Sequence, residues 1–462
     1  MTNYPKIKFC GGVGSVTGAN FLLEVSDEMK ILVDCGLVQG DKVAMKENRE
    51  PFTYDLSEIK ALFITHAHLD HVGRIPKLVK EGYQGPIYST PETKALAEIV
   101  LTDAASILAM EAKQDGEEPL YDISDVEKVF PLWNAIPYHQ NFELNDKVSV
   151  FFKDAGHILG SAMIEFSIKD TSKNNDVLRV LFTGDLGNSP APLLRDTEAI
   201  GDANYLVMES VYGDRNHESK EGRINKFQKI IKDALDRGGT LVIPAFSIDR
   251  TQVLLYELNN MVEEGKIPDV PVYVDSPMAI KATEIYKSNT DLFNDHVKEK
   301  IANGDDIFQF PRLKFTVSSA ESRNIKEYEG AKIILAGSGM SVGGRVIGHE
   351  EYFLPDPKNT ILLVGYQSVG SLGRHLADGQ KKVTIHKRTI KVKAHIETLY
   401  GFSAHRDSDH LVEFVSTGTD KLKNVFVVMG EPGASMHLAQ RVNDELGVKA
   451  IVPDRDNEYT LS

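Results

Sequence analysis

"THAHLDH", residues 65–71, sets three histidines and an aspartate within six consecutive positions, His66 to His71. It directly follows "ALFI", an apolar run that reads as a buried strand. Only 14 of the 462 residues are histidine, so a solvated polar loop would have to gather them by chance. Imidazole and carboxylate are the donors a divalent first-row metal takes, and alternating spacing on a short loop lets several converge on one point.

Moving outward, other polar residues stand in the same place relative to an apolar strand. His157 closes "FFKDAGH", Asp185 closes "VLFTGD", and Glu209 lies in "YLVMES". Singly, each reads as a turn former or a satisfied polar group. Together they make a ligand set, because functional groups at strand ends can meet at one edge of a sheet. The set suits two zinc ions about 3.5–4 Å apart that share a carboxylate and a water. His66, His68 and His157 would serve one ion, Asp70 and His71 the other, and Asp185 would bridge them.

The length points to two or three domains. No apolar run approaches the roughly 20 residues needed to span a bilayer, and the start "MTNYPKIKFCGG" lacks the layout of a secretory signal. The expected location is the cytoplasm, with Cys10 and Cys35 as buried free thiols. A net charge of -15 argues against coating nucleic acid over the whole surface. It leaves room for one local groove where bound metal supplies positive charge.

The first 40 residues read as β-hairpins: "KIKFCGG", "NFLLEV" and "KILVDCG". The intervening "GGVGSVTG" is not spaced as GxGxxG and leads into a strand, so it is no dinucleotide loop. Helices follow over 75–112, then an acidic loop, "QDGEEPLYDISD", then strands at 148–157 and 177–185. From 220 helix and strand alternate ("RINKFQKIIKDALDRGG", "TLVIPAF", "DRTQVLLYELNNMVEEG", "PVYVDSP"), a rhythm that predicts a parallel sheet. After about residue 395 the texture resembles the first part again.

"THAHLDH", "DAGHILGSA" and "FTGD" resemble the metallo-β-lactamase fold. "ESVYGDRNH" (209–217), "IPAFSIDRTQVLLYEL" (243–258), "VYVDSPMA" (272–279), "ILAGSGMSVGGR" (334–345), "GYQSVGSLGRHL" (365–376) and "GFSAH" (401–405) narrow this to a resemblance to its β-CASP branch. That branch includes the pre-mRNA 3′-end-processing endonuclease and its bacterial and archaeal relatives. The resemblance covers nearly the whole chain, with the motifs in family order. With "FCGGVGSVTG" beginning at residue 9, no counterpart of the archaeal N-terminal KH-type domains is expected.

The resemblance implies an α/β architecture: a metallo-β-lactamase αββα sandwich over 1–210 and 396–462, with a β-CASP α/β domain inserted at 211–395. The insertion would close over the metal face and hold single-stranded RNA. It implies a zinc-dependent ribonuclease that uses a metal-activated hydroxide and leaves 5′-phosphate and 3′-hydroxyl ends. The zinc ligands would be His66, His68, His157, Asp70, His71 and Asp185. His405 of "GFSAH" would be the general acid and Glu209 its partner, with Asp70 also in the catalytic set. Where the family carries a histidine in "VHGE", this chain reads "VVMGE" with Met429. Two zinc ions per chain are expected, the second more weakly held.

Ser247, Arg250, Ser276, Ser338 and Arg345 offer hydroxyl and guanidinium groups near strand ends, suited to gripping RNA phosphates. Residues 374–395 carry seven Lys or Arg against one Asp, so Lys387 and Arg388 are candidate RNA contacts beside the plainer reading of a solvated hairpin. No membrane partner is expected, and a homodimer is compatible with the sequence. Two other readings stand. A small-molecule hydrolase of the same fold would turn over β-lactams or thioesters and not RNA. A metal-poor RNA-binding or scaffold protein is supported by Met429 alone.

Overall fold

A computed structural model describes residues 4–40, 46–170, 176–368 and 370–462. The chain divides into two compact units, Met1–Asn216 with His405–Ser462, and His217–Ala404.

The first unit is built on two seven-stranded sheets. One runs in the order Glu458–Thr460, Lys6–Gly11, Asn20–Ser26, Met29–Val33, Ile59–Phe63, Ile87–Ser89, Trp133–Ala135. The other runs Ala450–Ile451, Asn424–Val427, Tyr205–Met208, Asp176–Phe182, Ala162–Asp170, Val148–Asp154, Phe142–Glu143. Alternation explains how they face each other. In Val148–Asp154 every second residue is buried, and Phe152 points into a core shared with Phe9, Phe21, Phe63, Phe166, Phe182 and Phe426. Phe63 meets Phe166 edge-on at 5.1 Å and Phe21 stacks on Phe182 at 6.1 Å, joining residues of the two sheets. A second apolar cluster seats the helices Ser408–Ser416 and Pro432–Leu446 on the other face of the second sheet.

The last seven residues contribute a strand to the first sheet, Lys6 pairing with Thr460 and Lys8 with Glu458, which no periodicity announces. The acidic loop is shorter than its composition suggests. The helix Pro91–Asp115 runs into it, and Asp122 caps the next helix, Ile123–Val129, in a capping box with Asp125. Acidic residues there serve as helix caps as well as loop.

The second unit is the βαβ rhythm realised. Six strands, all parallel, run in the order Leu313–Phe315, Val272–Asp275, Lys332–Ala336, Thr240–Pro244, Thr360–Leu363, His395–Thr398. Strands buried on both faces, such as "TLVIP" and "KIILA", are continuous apolar runs with helices on the flanks. A separate hairpin pairs Lys382–Ile385 with Arg388–Lys391.

Candidate metal centre

Every strand end that carries a candidate ligand opens on one place in the first unit. The strand Ile59–Phe63 delivers residues 64–68 to the short helix Leu69–Val72. Val148–Asp154 delivers His157, and Asp176–Phe182 delivers Asp185.

His66 Nε2 and His157 Nε2 each lie 3.2 Å from His68 Nδ1. Asp185 Oδ2 lies 3.3 Å from His66 Nε2 and 3.5 Å from His157 Nε2. One ring nitrogen cannot satisfy two others by hydrogen bonding alone. A tetrahedral cation with bonds of about 2.0–2.1 Å would have edges of roughly 3.4 Å between its ligands, close to these separations. Burial, reinforced by His66, holds the His68 imidazole well below its ordinary pKa, and burial with His405 does the same to His157. Both are therefore neutral lone-pair donors. Burial works against charge on Asp185, yet His71 and His66 outweigh it and keep the carboxyl well below its usual range. Three imidazole nitrogens and one carboxylate fit a zinc-type cation.

The far side of Asp185 has an unmet demand. His71 Nε2 and Asp185 Oδ1 are 3.3 Å apart and both buried, and among the described residues neither has a hydrogen-bond partner. His71 Nδ1 donates to Asp34 Oδ2 at 2.7 Å, which turns Nε2 toward Asp185. Burial disfavours charge on His71, but Asp185 and Asp34 overcome it and raise its pKa well above the ordinary value. The carboxylates that hold a proton there could equally hold a cation. Asp34 is itself fully buried and accepts from Thr65 N at 2.9 Å and Thr65 Oγ1 at 2.8 Å. Sequence reading passed over Asp34 and Thr65. The available signal was the acid closing "ILVD", another strand end of the same kind.

Not every expected ligand joins these groups. Among the described residues the clusters of converging donors are His66, His68, His157, Asp185 and Asp185, Glu209, His405. Asp70 belongs to neither. It is half-buried, and burial pushes its carboxyl up against the pull of His71. Met429 is 2 % exposed and belongs to the core between the sheets. Its sulfur lies so close to Gly12 that a Cβ there would stand 2.6 Å from it.

His405 Nδ1 donates to Glu209 Oε1 at 3.1 Å and stands 3.9 Å from Asp185 Oδ2. Glu209 is held by Leu186 N at 2.7 Å and Val211 N at 3.3 Å. Burial opposes charge on His405, but Glu209 and Asp185 outweigh it and push its pKa up to about 9. The imidazole carries a proton at neutral pH.

The candidate RNA contacts fall into two places within the second unit. Ser247 and Ser276 bring their hydroxyls to 3.0 Å at the carboxyl edge of the parallel sheet, and Gly337, beside Ser338, lies over both. Ser338 Oγ accepts from Val342 N at 3.1 Å. The two arginines near that edge donate inward: Arg250 to Val364 O, and Arg345 to Asp275 at 2.7 Å and Val317 O at 2.6 Å. Lys387 and Arg388 sit apart, on the exposed hairpin.

Comparison with known proteins decides the family. The chain matches the metallo-β-lactamase superfamily domain over residues 22–180, the Beta-Casp domain over 251–376 and the Zn-dependent metallo-hydrolase RNA specificity domain over 389–453. It is 34% identical to a ribonuclease of Thermus thermophilus over 88% of this chain and 89% of that protein. The chain belongs to the β-CASP family of the metallo-β-lactamase superfamily. Within this family it is also 31% identical to transcription termination factor FttA of Methanosarcina mazei, over 96% of this chain and 70% of that protein. A structure of a protein of unknown function from Enterococcus faecalis shares the fold, with a TM-score of 0.56 and 12% identity over 99% of this chain and 100% of that one. As a β-CASP protein the chain is a metal-dependent hydrolase. No helix among its described residues is long and apolar enough to cross a membrane.

Proposed function

We propose that this β-CASP protein is a zinc-dependent ribonuclease that hydrolyses phosphodiesters of single-stranded RNA to 5′-phosphate and 3′-hydroxyl ends. The observation that carries the reading is the meeting of two donor groups at Asp185: the His66, His68, His157 cluster and the Glu209–His405 pair. His66, His68, His157 and Asp185 would hold one ion, and Asp185, His71 and Asp70 a second, weaker one. When bound, zinc supplies positive charge that neutralises phosphate oxygens and lowers the pKa of water toward neutrality.

The chain's own groups do the rest. The Nδ1–H of His71 stays on Asp34, so Nε2 keeps one orientation. Protonated His405 gives its proton to the leaving 3′-oxygen as the bond to phosphorus breaks. Glu209, pinned by two backbone N–H groups, fixes the imidazole and favours its charged form. Ser247, Ser276 and Ser338 would hold the strand through phosphates, and Lys387 and Arg388 would add attraction further along, while Arg250 and Arg345 brace the sheet edge through their inward hydrogen bonds. The similarity to a protein named a ribonuclease and the match to an RNA specificity domain support the substrate class.

Metal content of the purified protein, measured alongside cleavage of end-labelled RNAs, tests this. At least one zinc per chain and zinc-dependent cutting are expected. Metal-free protein after purification without chelator would overturn it. Met429 favours a second reading, an RNA-binding protein with weakened catalysis. Binding of RNA without cleavage at any zinc concentration would select that one.

A further inference from the structure

The segment "GFSAH" does more than end in His405. Its first residues are gripped from within the second unit by one helix, Lys220–Asp236, whose start is capped by Ser219. Arg223 Nη1 donates to Gly401 O at 2.6 Å, and the guanidinium lies 4.8 Å from the centre of the Phe402 ring. One turn on, Phe227 meets Phe402 edge-on at 5.3 Å. Arg223 and Phe227 are i and i+4, neighbours on one helix face, and together they hold Gly401 and Phe402 at two points. All four residues are buried.

Two details mark this as a fitted contact. Gly401 lies flat against the arginine stem, where a Cβ would stand 3.1 Å from Arg223 Cδ and 3.3 Å from Cγ. Arg223 Nε and Nη2 are buried with no hydrogen-bond partner among the described residues. A guanidinium buried with two unmet donors carries a desolvation cost, and its one hydrogen bond goes to the carbonyl of Gly401. After the 3-10 turn Tyr400–Phe402, only Ser403 and Ala404 separate the held residues from His405. Movement of the held residues would reach the His405 backbone, which a bridge to Gly187 and the Glu209 hydrogen bond also restrain, and a misplacement of about 1 Å at a reacting group can cost on the order of 100-fold in rate.

We infer that Arg223 and Phe227 are positioning residues for His405, clamping Gly401–Phe402 so that the imidazole reaches the leaving oxygen. This rests on the reading of His405 as proton donor, and the test separates the two ideas. The probe is an RNA in which sulfur replaces the bridging 3′-oxygen at one phosphodiester. Water adds to phosphorus, the P–S bond breaks, and the thiolate leaves with the bonding pair and needs no proton. Ordinary RNA needs one.

His405→Ala should be slow on ordinary RNA and return to within about threefold of wild type on the sulfur substrate. Arg223→Ala should follow it: kcat on ordinary RNA down about 10–100-fold, within the range of a general acid, KM within about twofold, and recovery on the sulfur substrate. Gly401→Ala, which only pushes the Arg223 stem aside, should show the same pattern more weakly and serves if Arg223→Ala does not fold. A wild-type rate of Arg223→Ala on ordinary RNA overturns the clamp. So does equal slowing of Arg223→Ala on both substrates while His405→Ala recovers. Failure of His405→Ala to recover overturns the proton-donor reading, and the clamp with it.

Discussion

Asp70 and His405 have different roles in the proposed chemistry, so their losses should look different. Asp70→Ala should abolish cleavage and lower the metal content, since its carboxylate would hold the weaker ion in the proposed site. His405→Ala should leave the metal in place and lower kcat by about 100–10,000-fold, the usual worth of a general acid. Metal analysis of both variants beside RNA cleavage rates checks this, and equal metal loss in the two would contradict it. Met429 makes a sharper test. Its thioether sits in the core, and a thioether is a soft, weak donor for zinc. Met429→His should raise zinc stoichiometry toward two and reduce the need for added metal. It should also melt lower than wild type without zinc, because an unsatisfied polar group in that core costs about 1–3 kcal/mol, and regain stability when zinc is added. Two tightly bound ions in the wild type, with nothing changed by the substitution, would end this account. The donor type of these single residues could be read from the sequence, because it does not depend on their surroundings. Asp34 was not, because one acid at one strand end looks like any other until His71 is seen to donate to it.

At the scale of elements, the hairpin Lys382–Ile385 and Arg388–Lys391 carries its positive charge into solvent. Replacing Lys387, Arg388 and Lys391 by Glu should weaken RNA binding and flatten its dependence on salt, since each phosphate contact releases counterions. An unchanged slope of log affinity against log salt would leave the hairpin as solvated surface. The helix Gly344–Phe353 holds a different kind of group. Glu350 is fully buried, accepts from Ser341 Oγ at 2.6 Å through Oε1, and has no partner at Oε2 among the described residues. Burial, against the Ser341 hydrogen bond, pushes its pKa up to about 8. The folded state therefore keeps a proton that the unfolded chain releases near its ordinary value of about 4.3. Stability is lost as pH rises between those two values and levels off above the upper one. Glu350→Gln keeps the acceptor for Ser341 and removes the ionisation. Its urea midpoint should gain on the wild type between pH 5 and pH 8, and a constant difference across that range would count against the assignment. Alternation of helix and strand announced the parallel sheet around this helix. The buried polar pairing of Glu350 with Ser341 had no periodic signature.

For the whole molecule, the proposed metal ligands come from residues 66–185, all within the first unit. Chelation should therefore lower the melting of that unit and leave the melting of the other in place, and calorimetry with and without zinc can resolve this. At a free zinc concentration 100 times its dissociation constant, binding adds about 2.7 kcal/mol, or roughly 5–10 °C for a unit of this size. A single transition moved as a whole, or none moved, would refute that division. Local chemistry pointed to a metal site, periodicity to a parallel α/β sheet in residues after 220, and the resemblance of short motifs to a known family implied the metallo-β-lactamase sandwich. Each of those signals lies within a few neighbouring residues. The tertiary structure alone decided that the strand Glu458–Thr460 closes the first sheet beside Lys6–Lys8 and that Asp34 orients His71. It also placed Met429 in the core and brought Arg223 onto Gly401. These contacts join residues far apart in the chain, and their energy exists only once the two sheets and the inserted helices have packed, so no local pattern could carry them.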